Sequence, residues 1–417
     1  MSAGAGNDCC TPGGSGPKSY GEALALLLAH AEPLSETERV SLDQALGRVC
    51  AAPVTSRIDV PGWDNSSMDG YALRIADLSG PGDGLPVSQR IPAGTAPRPL
   101  ATGTVARIFT GAPIPEGADA VVMQERCRPE GGAVVIQAPV AAGQNIRHKG
   151  EDIAAGAEII SRGTRLRPQH LGLAASVGVD RLTVTRSIRV AFFSSGDELV
   201  MPGQPLSPGK IYNSNRFTGR GLLEALGCEV LDLGIVEDTL EATEEALARG
   251  AREADLVLAS GGVSVGEKDH VKPAVERLGS LKLWHIAIRP GKPVAFGHID
   301  GTPFLGAPGN PVSLFTTFVL FARPFILKRQ GCSDYLAEPL RVVTDFEWTR
   351  PDSRREYHRA RLVQGSDGQA RVQVYPSRSS AVLSSVTWAN GLVVIPEGRT
   401  LSPGDSVDFL PFSELLC

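Results

Sequence analysis

Long apolar runs, a basic excess and a cysteine framework are all missing from these 417 residues, and each absence removes a class of protein. No stretch approaches the roughly 18–20 uninterrupted apolar residues that a membrane-crossing helix needs. Residues 1–17 are small, polar and Gly-rich, without the charged flank and apolar centre of a signal peptide. A cytoplasmic location with no membrane partner is therefore expected. The 41 basic and 46 acidic residues are interspersed, for a net charge of −5, so no cationic stripe is available to track a phosphate backbone, and nucleic acid is not expected either. Seven cysteines, Cys9 and Cys10 adjacent and the rest scattered from Cys50 to Cys417, match neither a disulfide framework nor zinc-ligand spacing, so reduced, structural thiols are expected. His148 and His285 lack HExxH or comparable spacing, which argues against a zinc site. A Walker A loop and an internal repeat are absent as well.

What is present, 42% hydrophobic residues over this length, is too much for one core. At roughly 150 residues per domain, about three or four units are expected. After an expected disordered tail over 1–16, the apolar spacing of Tyr20, Leu24, Leu27 and Leu28 predicts a helix over 19–30. The capping-box pattern Ser41-Leu-Asp-Gln44, with Gly47 as a stop, predicts a second. Residues 54–153 are rich in Pro and Gly, with short β-type runs at 104–109, 120–124 and 133–137, and are read as a β-rich inserted domain. Residues 154–186 carry one short strand and a helix near 169–177, too little for a domain alone. They are expected to return and complete a mixed helical unit with 17–53.

Around Ser187 strands and helices begin to alternate, the pattern of a doubly wound α/β domain with a parallel sheet, assigned to 187–335. Strands are expected at 188–193, 229–236, 255–259, 283–288, 294–297 and 304–306, and helices at 215–226, 240–253 and 311–328. Beyond Gly331 period-two runs at 340–346, 357–363, 370–375, 392–396 and 406–410 predict a closing barrel-like β domain over 336–417.

In an open α/β sheet, ligands bind outside the carboxyl ends of the strands. Three loops there are unusual. Ser194-Ser-Gly-Asp-Glu198 offers backbone amides, with Gly196 in the turn, and two carboxylates. Ser260-Gly-Gly-Val-Ser-Val-Gly-Glu-Lys-Asp269, with Gly261, Gly262 and Ser264, lets successive N–H groups close on an anion. Gly306-Ala-Pro-Gly-Asn-Pro311, with Pro308, Gly309 and Asn310, opens a long helix whose N-terminus suits phosphate. Any one of them is equally well explained by steric needs of a strand-to-helix turn; three in one sheet favour a phosphorylated or nucleotide ligand. The GxGxxG fingerprint is absent from the first turn.

Glu198, Asp238 and Asp269 follow three different strands, an arrangement able to hold Mg²⁺ through oxygen ligands while the metal bridges phosphate. For Asp238 an exposed acid favouring a helix dipole explains the position as well. Arg289-Pro-Gly-Lys292 puts two cations in a rigid turn, suited to anionic oxygens or simply to solvent. Asp64-Asn-Ser-Ser-Met-Asp-Gly-Tyr71 and Asn145-Ile-Arg-His-Lys-Gly-Glu-Asp152 are polar loops open to the same two explanations.

In this order the segments resemble the MoeA family, which includes the E domain of gephyrin. The matching residues are Pro61 to Ala72, Ile108-Phe-Thr-Gly-Ala-Pro-Ile-Pro-Glu-Gly-Ala-Asp119, Arg147 to Asp152, Ser194 to Leu199, Ile211-Tyr-Asn-Ser-Asn215, Gly261 to Asp269, Pro290-Gly-Lys-Pro293 and Pro308-Gly-Asn-Pro-Val-Ser313. The resemblance implies a homodimer of elongated four-domain subunits, with a site between the α/β domain of one and the polar-loop domain of the other. It implies a molybdopterin molybdotransferase that takes adenylylated molybdopterin and molybdate, cleaves the phosphoanhydride with Mg²⁺ or a similar ion, and releases AMP and molybdenum cofactor. Other cofactor-assembly proteins and apo-molybdoenzymes are the further partners it implies. Carried over by position, the catalytic set is Asp69, Thr110, Asp152, Glu198, Asp238, Asp269 and Arg289. Ser194, Gly196, Gly261, Gly262, Ser264, His285, Lys292, Pro308, Gly309, Asn310, Arg359 and Ser380 would bind substrate. Where bacterial members commonly show Lys-x-x-x-Lys-Pro-Gly, this chain has His285-Ile-Ala-Ile-Arg289-Pro-Gly. A molybdopterin adenylyltransferase, or a molybdopterin-binding scaffold without catalysis, is the alternative.

Overall fold

The computed structural model describes residues 17–80, 82, 84–263, 269–365 and 367–416. The tail expected over 1–16 lies outside them. The first helix, Tyr20–Ala29, starts where Ser19 accepts from Glu22 N while Glu22 returns to the Ser19 amide and hydroxyl, a reciprocal cap that satisfies first-turn donors. Its buried face (Ala23, Leu24, Leu27) joins the core of the α/β unit, and not a separate helical unit as its position in the sequence predicts. The helix expected after Ser41 is corrected to a single 3-10 turn, Leu42–Gln44, with no side-chain cap. Ser41 already ends a strand, Thr37–Ser41, whose pairing with Arg181–Thr185 holds the backbone extended. A second pairing joins Val54–Thr55 to Glu158–Ile160, and Val40, Ala45 and Cys50 share a small core with Ile160, Leu166, Ala174, Leu182 and Val184.

Between these partners lies a six-stranded sheet in the order Ala120–Met123, Gly70–Leu73, Val105–Ile108, Gly84–Ile91, Ala133–Ile136, Cys127–Glu130. The two polar loops meet at its edge. Asn65–Ser66 pairs antiparallel with Ile146–Arg147, so segments some eighty residues apart in sequence form one surface.

Within the α/β unit the elements are β1 (Arg189–Ser195), α1 (Ser214–Ala225), β2 (Glu229–Val236), α2 (Leu240–Glu253), β3 (Leu256–Ser260), α3 (Val271–Leu278), β4 (Gly279–His285), β5 (Ile288–Arg289), β6 (Pro293–Ile299), β7 (Thr302–Ala307) and α4 (Pro311–Arg329). The sheet order is β2-β1-β3-β7-β6-β4. The first four strands are parallel, but β6 runs antiparallel to β7 and β4 antiparallel to β6. The expected parallel sheet is therefore mixed, with antiparallel pairings at one side. Asp300 and Gly301, both at positive φ, make a two-residue turn from β6 to β7, and such a turn joins only antiparallel neighbours. Alternation along β1 sends Val190 and Phe192 to the face covered by α1 and α4, and Ala191 and Phe193 to the face covered by α2 and α3. Helix α4 is long and apolar enough to cross a membrane by length and composition, but 89% of that window is buried as core. A π-turn, Phe318–Ala322, lies at its middle.

Strands β8 (Leu340–Thr344), β9 (Arg355–Gln364), β10 (Ala370–Val374), β11 (Gly391–Ile395) and β12 (Ser406–Pro411) pair around a ring, β9 with both β10 and β11. This closed five-stranded barrel has no free edge among its own strands except where β5 of the α/β unit adds in parallel beside β9. The described cysteines, Cys50, Cys127, Cys228 and Cys332, are free thiols. Burial pushes the Cys127 thiol up to about 11 and that of Cys228 up to about 12.

Candidate active site

A cleft of about 1360 Å³ opens where the loops after β1, β2, β3 and β7 meet the barrel. It exceeds the roughly 300–1,000 Å³ usual for small-molecule sites and so has room for a ligand of two parts. Of the residues selected from sequence, Gly196, Glu198, Asp238, Gly261, Gly262, Asp269, Arg289, Lys292, Pro308, Gly309, Asn310 and Ser380 line it.

Asp238 is turned inward. Its carboxylate accepts from Ser195 Oγ at 2.5 Å and Asp197 N at 3.0 Å, while its own amide donates to Asp197 Oδ1 at 3.3 Å. It braces the loop after β1, and Thr239 caps α2 in its place. The Glu198 carboxylate folds back over Gly196, where an added Cβ would stand 2.7 Å from Glu198 Oε2. Gly261 has φ +96°, and a Cβ there would lie 2.4 Å from Ser195 O, so only glycine lets the loop after β3 close on β1. Gly261 N donates to Ala307 O, and Asn215 Nδ2 donates to both Ser260 Oγ (2.9 Å) and Gly309 O (2.7 Å). Three strand ends are thereby tied into one rigid rim.

Helix α4 begins at this rim with its N-cap Asn310 making no side-chain cap. One first-turn amide, Val312 N, donates instead to Ser380 O at 3.0 Å, which seats the barrel loop on the helix terminus. The cationic wall comes from both units. Arg289 Nη1 donates to Asp352 Oδ2 at 3.0 Å, and Arg354 forks onto the same carboxylate at 3.0 and 2.9 Å. Arg378 Nη2 donates to Glu356 Oε1 at 2.5 Å and its guanidinium lies 4.6 Å from the Trp348 ring centroid. Arg354, then Arg289, hold the Asp352 carboxyl well below the usual carboxylate range.

Several expected residues lie elsewhere. Ser194 is buried, donating to Asn213 Oδ1 at 3.3 Å. His285 ends β4 without lining the cleft. Ser264 lies outside the described residues. Arg359, expected to face substrate, is 1% exposed: it donates to Ser385 Oγ, Ser377 O and Ser379 O, pinning from below the loop that carries Arg378, Ser379 and Ser380. Burial without a carboxylate partner pushes it down to about 10. Asp69, Thr110 and Asp152 sit on the polar-loop unit and do not line this chain's cleft. There Thr110 N and Oγ1 both donate to Asp69 Oδ1 at 2.8 Å, holding that carboxyl below its ordinary range.

Glu198, Asp238 and Asp269, expected to hold Mg²⁺ while the metal bridges phosphate, all line the cleft, and among the described residues no three His, Cys, Asp or Glu side chains group as a metal site by themselves. Asp238 is occupied with Ser195 and Asp197. Arg354, Arg378, Ser379, Ser195, Asn213 and Asn215 line the cleft without having been selected. The two asparagines fall inside the Ile211 to Asn215 motif and Arg378 two residues before Ser380, whereas no motif lies near Arg354.

Fold and cleft together define a multidomain α/β protein with a cleft between the α/β unit and the barrel, lined by Arg289, Lys292, Arg354 and Arg378 as well as Glu198, Asp238 and Asp269. The MoeA N-terminal region (domain I and II) matches residues 18–178, a probable molybdopterin binding domain matches 191–328, and the MoeA C-terminal region (domain IV) matches 341–412. The molybdopterin molybdenumtransferase of Haemophilus influenzae is 39% identical over 92% of this chain and 95% of its own length. That of a Nostoc species is 37% identical over 89% and 88%. The crystal structure of a molybdopterin biosynthesis MoeA protein from Pyrococcus horikoshii, 30% identical, superposes with a TM-score of 0.82 over 95% of this chain and all of that one. The chain belongs to the MoeA family. It is accordingly an enzyme of the transferase class, in molybdenum cofactor biosynthesis.

Proposed function

We propose that this chain inserts molybdate into adenylylated molybdopterin, releasing AMP and molybdenum cofactor. The observation that carries the proposal is the composition of the cleft, lined by Arg289, Lys292, Arg354 and Arg378 together with Glu198 and Asp269. A phosphoanhydride and an oxyanion both need cations, and polarised water needs a carboxylate nearby. Water would cleave the P–O bond between the pterin phosphate and AMP, leaving both phosphates as anions against the arginines. The two thiols of the dithiolene give their protons to one oxide of molybdate, which leaves as water, so molybdenum keeps its oxidation state while two Mo–S bonds form.

Mg²⁺ usually keeps several waters and takes one or two protein carboxylates alongside substrate phosphates. Glu198 and Asp269 suit that donor set, and among the described residues no protein-only metal group forms. Such an ion would neutralise phosphate charge during cleavage. Asp69, Thr110 and Asp152 belong to the proposal as contributions from a second copy in a cytoplasmic homodimer. With adenylylated molybdopterin and Mg²⁺, AMP release that depends on molybdate supports the assignment. Formation of the adenylylated intermediate from ATP, or stoichiometric binding without AMP release, would replace it with an adenylyltransferase or a carrier.

A further inference from the structure

Three arginines reach the cleft from two folding units, and two carboxylates that do not line it hold all three. Asp352 takes Arg289 and Arg354; Glu356 takes Arg378, with Arg289 Nε 3.8 Å away. Both carboxylates lie behind the wall, their side chains 14% and 4% exposed. The backbone enforces the meeting, because β5 adds to the barrel with Arg289 directly opposite Glu356. Arg378 is further flattened against Trp348, whose ring packs on His358 at 5.1 Å.

We propose that Asp352 and Glu356 are positioning residues for oxyanion recognition. They fix the forks of Arg289, Arg354 and Arg378 before the ligand arrives, so that a tetrahedral inorganic oxyanion meets oriented N–H donors. The identity of that oxyanion as molybdate rests on the insertase reading. A guanidinium presents its donors in a plane, and a carboxylate behind it selects which edge is offered; an ammonium has no such edge to select. The arginine at position 289 is therefore matched to Asp352. Each carboxylate also weakens the positive field of the trio. Three guanidiniums and Lys292 against two carboxylates still leave a cationic wall.

The test uses the full-length chain and its Asp352→Asn, Asp352→Glu, Arg289→Lys and Arg289→Lys/Asp352→Asn variants. Asp408→Asn, which breaks an exposed pair with Arg341 on the same barrel, is the control. Molybdate binding is followed by calorimetric titration without nucleotide, and AMP release by kcat and by KM for molybdate. Asp352→Asn is expected to weaken molybdate about tenfold in both Kd and KM with kcat within about twofold, Asp352→Glu to recover most of the loss, and the same Asp→Asn change to cost under about threefold in the Arg289→Lys background. Unchanged or tighter molybdate binding by Asp352→Asn, an equal loss in both backgrounds, or the same loss in the control overturns the proposal. If Asp352→Asn does not fold, Asp352→Glu and Arg289→Lys decide: about fivefold weaker binding by Arg289→Lys and near-native binding by Asp352→Glu support it, and the reverse order overturns it. Wild-type chain that shows the binding pattern but releases no AMP refutes the insertase reading and leaves the positioning role standing. Wild-type chain that binds no molybdate overturns both.

Discussion

At Asp238 two explanations compete in the sequence, a metal ligand and an acid ahead of a helix, and the folded chain answers with a third, a brace between Ser195 and Asp197. Residues that only touch neighbours and residues that touch ligand should therefore separate in their variants. Asp269→Ala, on the cleft wall, is expected to lose at least about a hundredfold in molybdate-dependent AMP release while keeping the fold, as read by circular dichroism. Retained turnover would remove Asp269 from the machinery. Arg359→Met is expected to lose about 2–4 kcal/mol of stability in denaturant titration, because it leaves the carbonyls of Ser377 and Ser379 and the Ser385 hydroxyl without their donor. Native stability in that variant would mean that the loop above holds itself.

Among the elements, α2 was legible to the residue, since Thr239 caps it and its apolar face repeats at helical spacing. The turn at Ser41 was not, because a capping pattern cannot report a partner strand 140 residues away. The reversal of β6 was hidden for a similar reason: the Asp300–Gly301 turn is visible, but its consequence for strand direction appears only once β7 is known to pair beside it. In the barrel, burial and then the neighbouring Arg359 push the His358 imidazole down to about 4, so it is neutral when folded. Its ring supports this, with Nε2 donating to Tyr375 O and Nδ1 left to accept from Arg359. A folded value below the unfolded one near 6.5 means that the unfolded chain binds the extra proton. The contribution is fully present above about pH 6.5 and is lost as pH falls toward 4, on the order of 3 kcal/mol. A His358→Gln variant should flatten the stability profile in that window, as read by denaturant titration at pH 7 and pH 4.5. Gly261→Ala tests the rim directly. The clash with Ser195 O should lower both stability and AMP release, whereas a native Tm would show that the loop after β3 can yield.

For the whole molecule, the sequence made the α/β unit and the barrel readable through their periodicities, and brought out the carboxylates of the cleft through their place after strands of the α/β unit. It concealed Arg354 and Arg378, because exposed arginines in a loop look alike until a neighbouring unit is placed over them. If the polar loops serve a partner's cleft, inactive Asp69→Ala and inactive Asp269→Ala chains should complement each other when mixed. Each mixed dimer would hold one intact site, so random exchange should recover about a quarter of wild-type turnover, half the dimers with half their sites. No recovery after verified subunit exchange would place both residues at one site within a single chain.

The pairing of Thr37–Ser41 with Arg181–Thr185 has a consequence in time. A ribosome adding about 5–20 residues per second needs on the order of ten seconds to make the roughly 140 residues between these strands. The inserted sheet can form within that interval, since all six of its strands lie between Gly70 and Ile136. The early strand meanwhile waits without its partner, and a chaperone meeting the nascent chain would find it there.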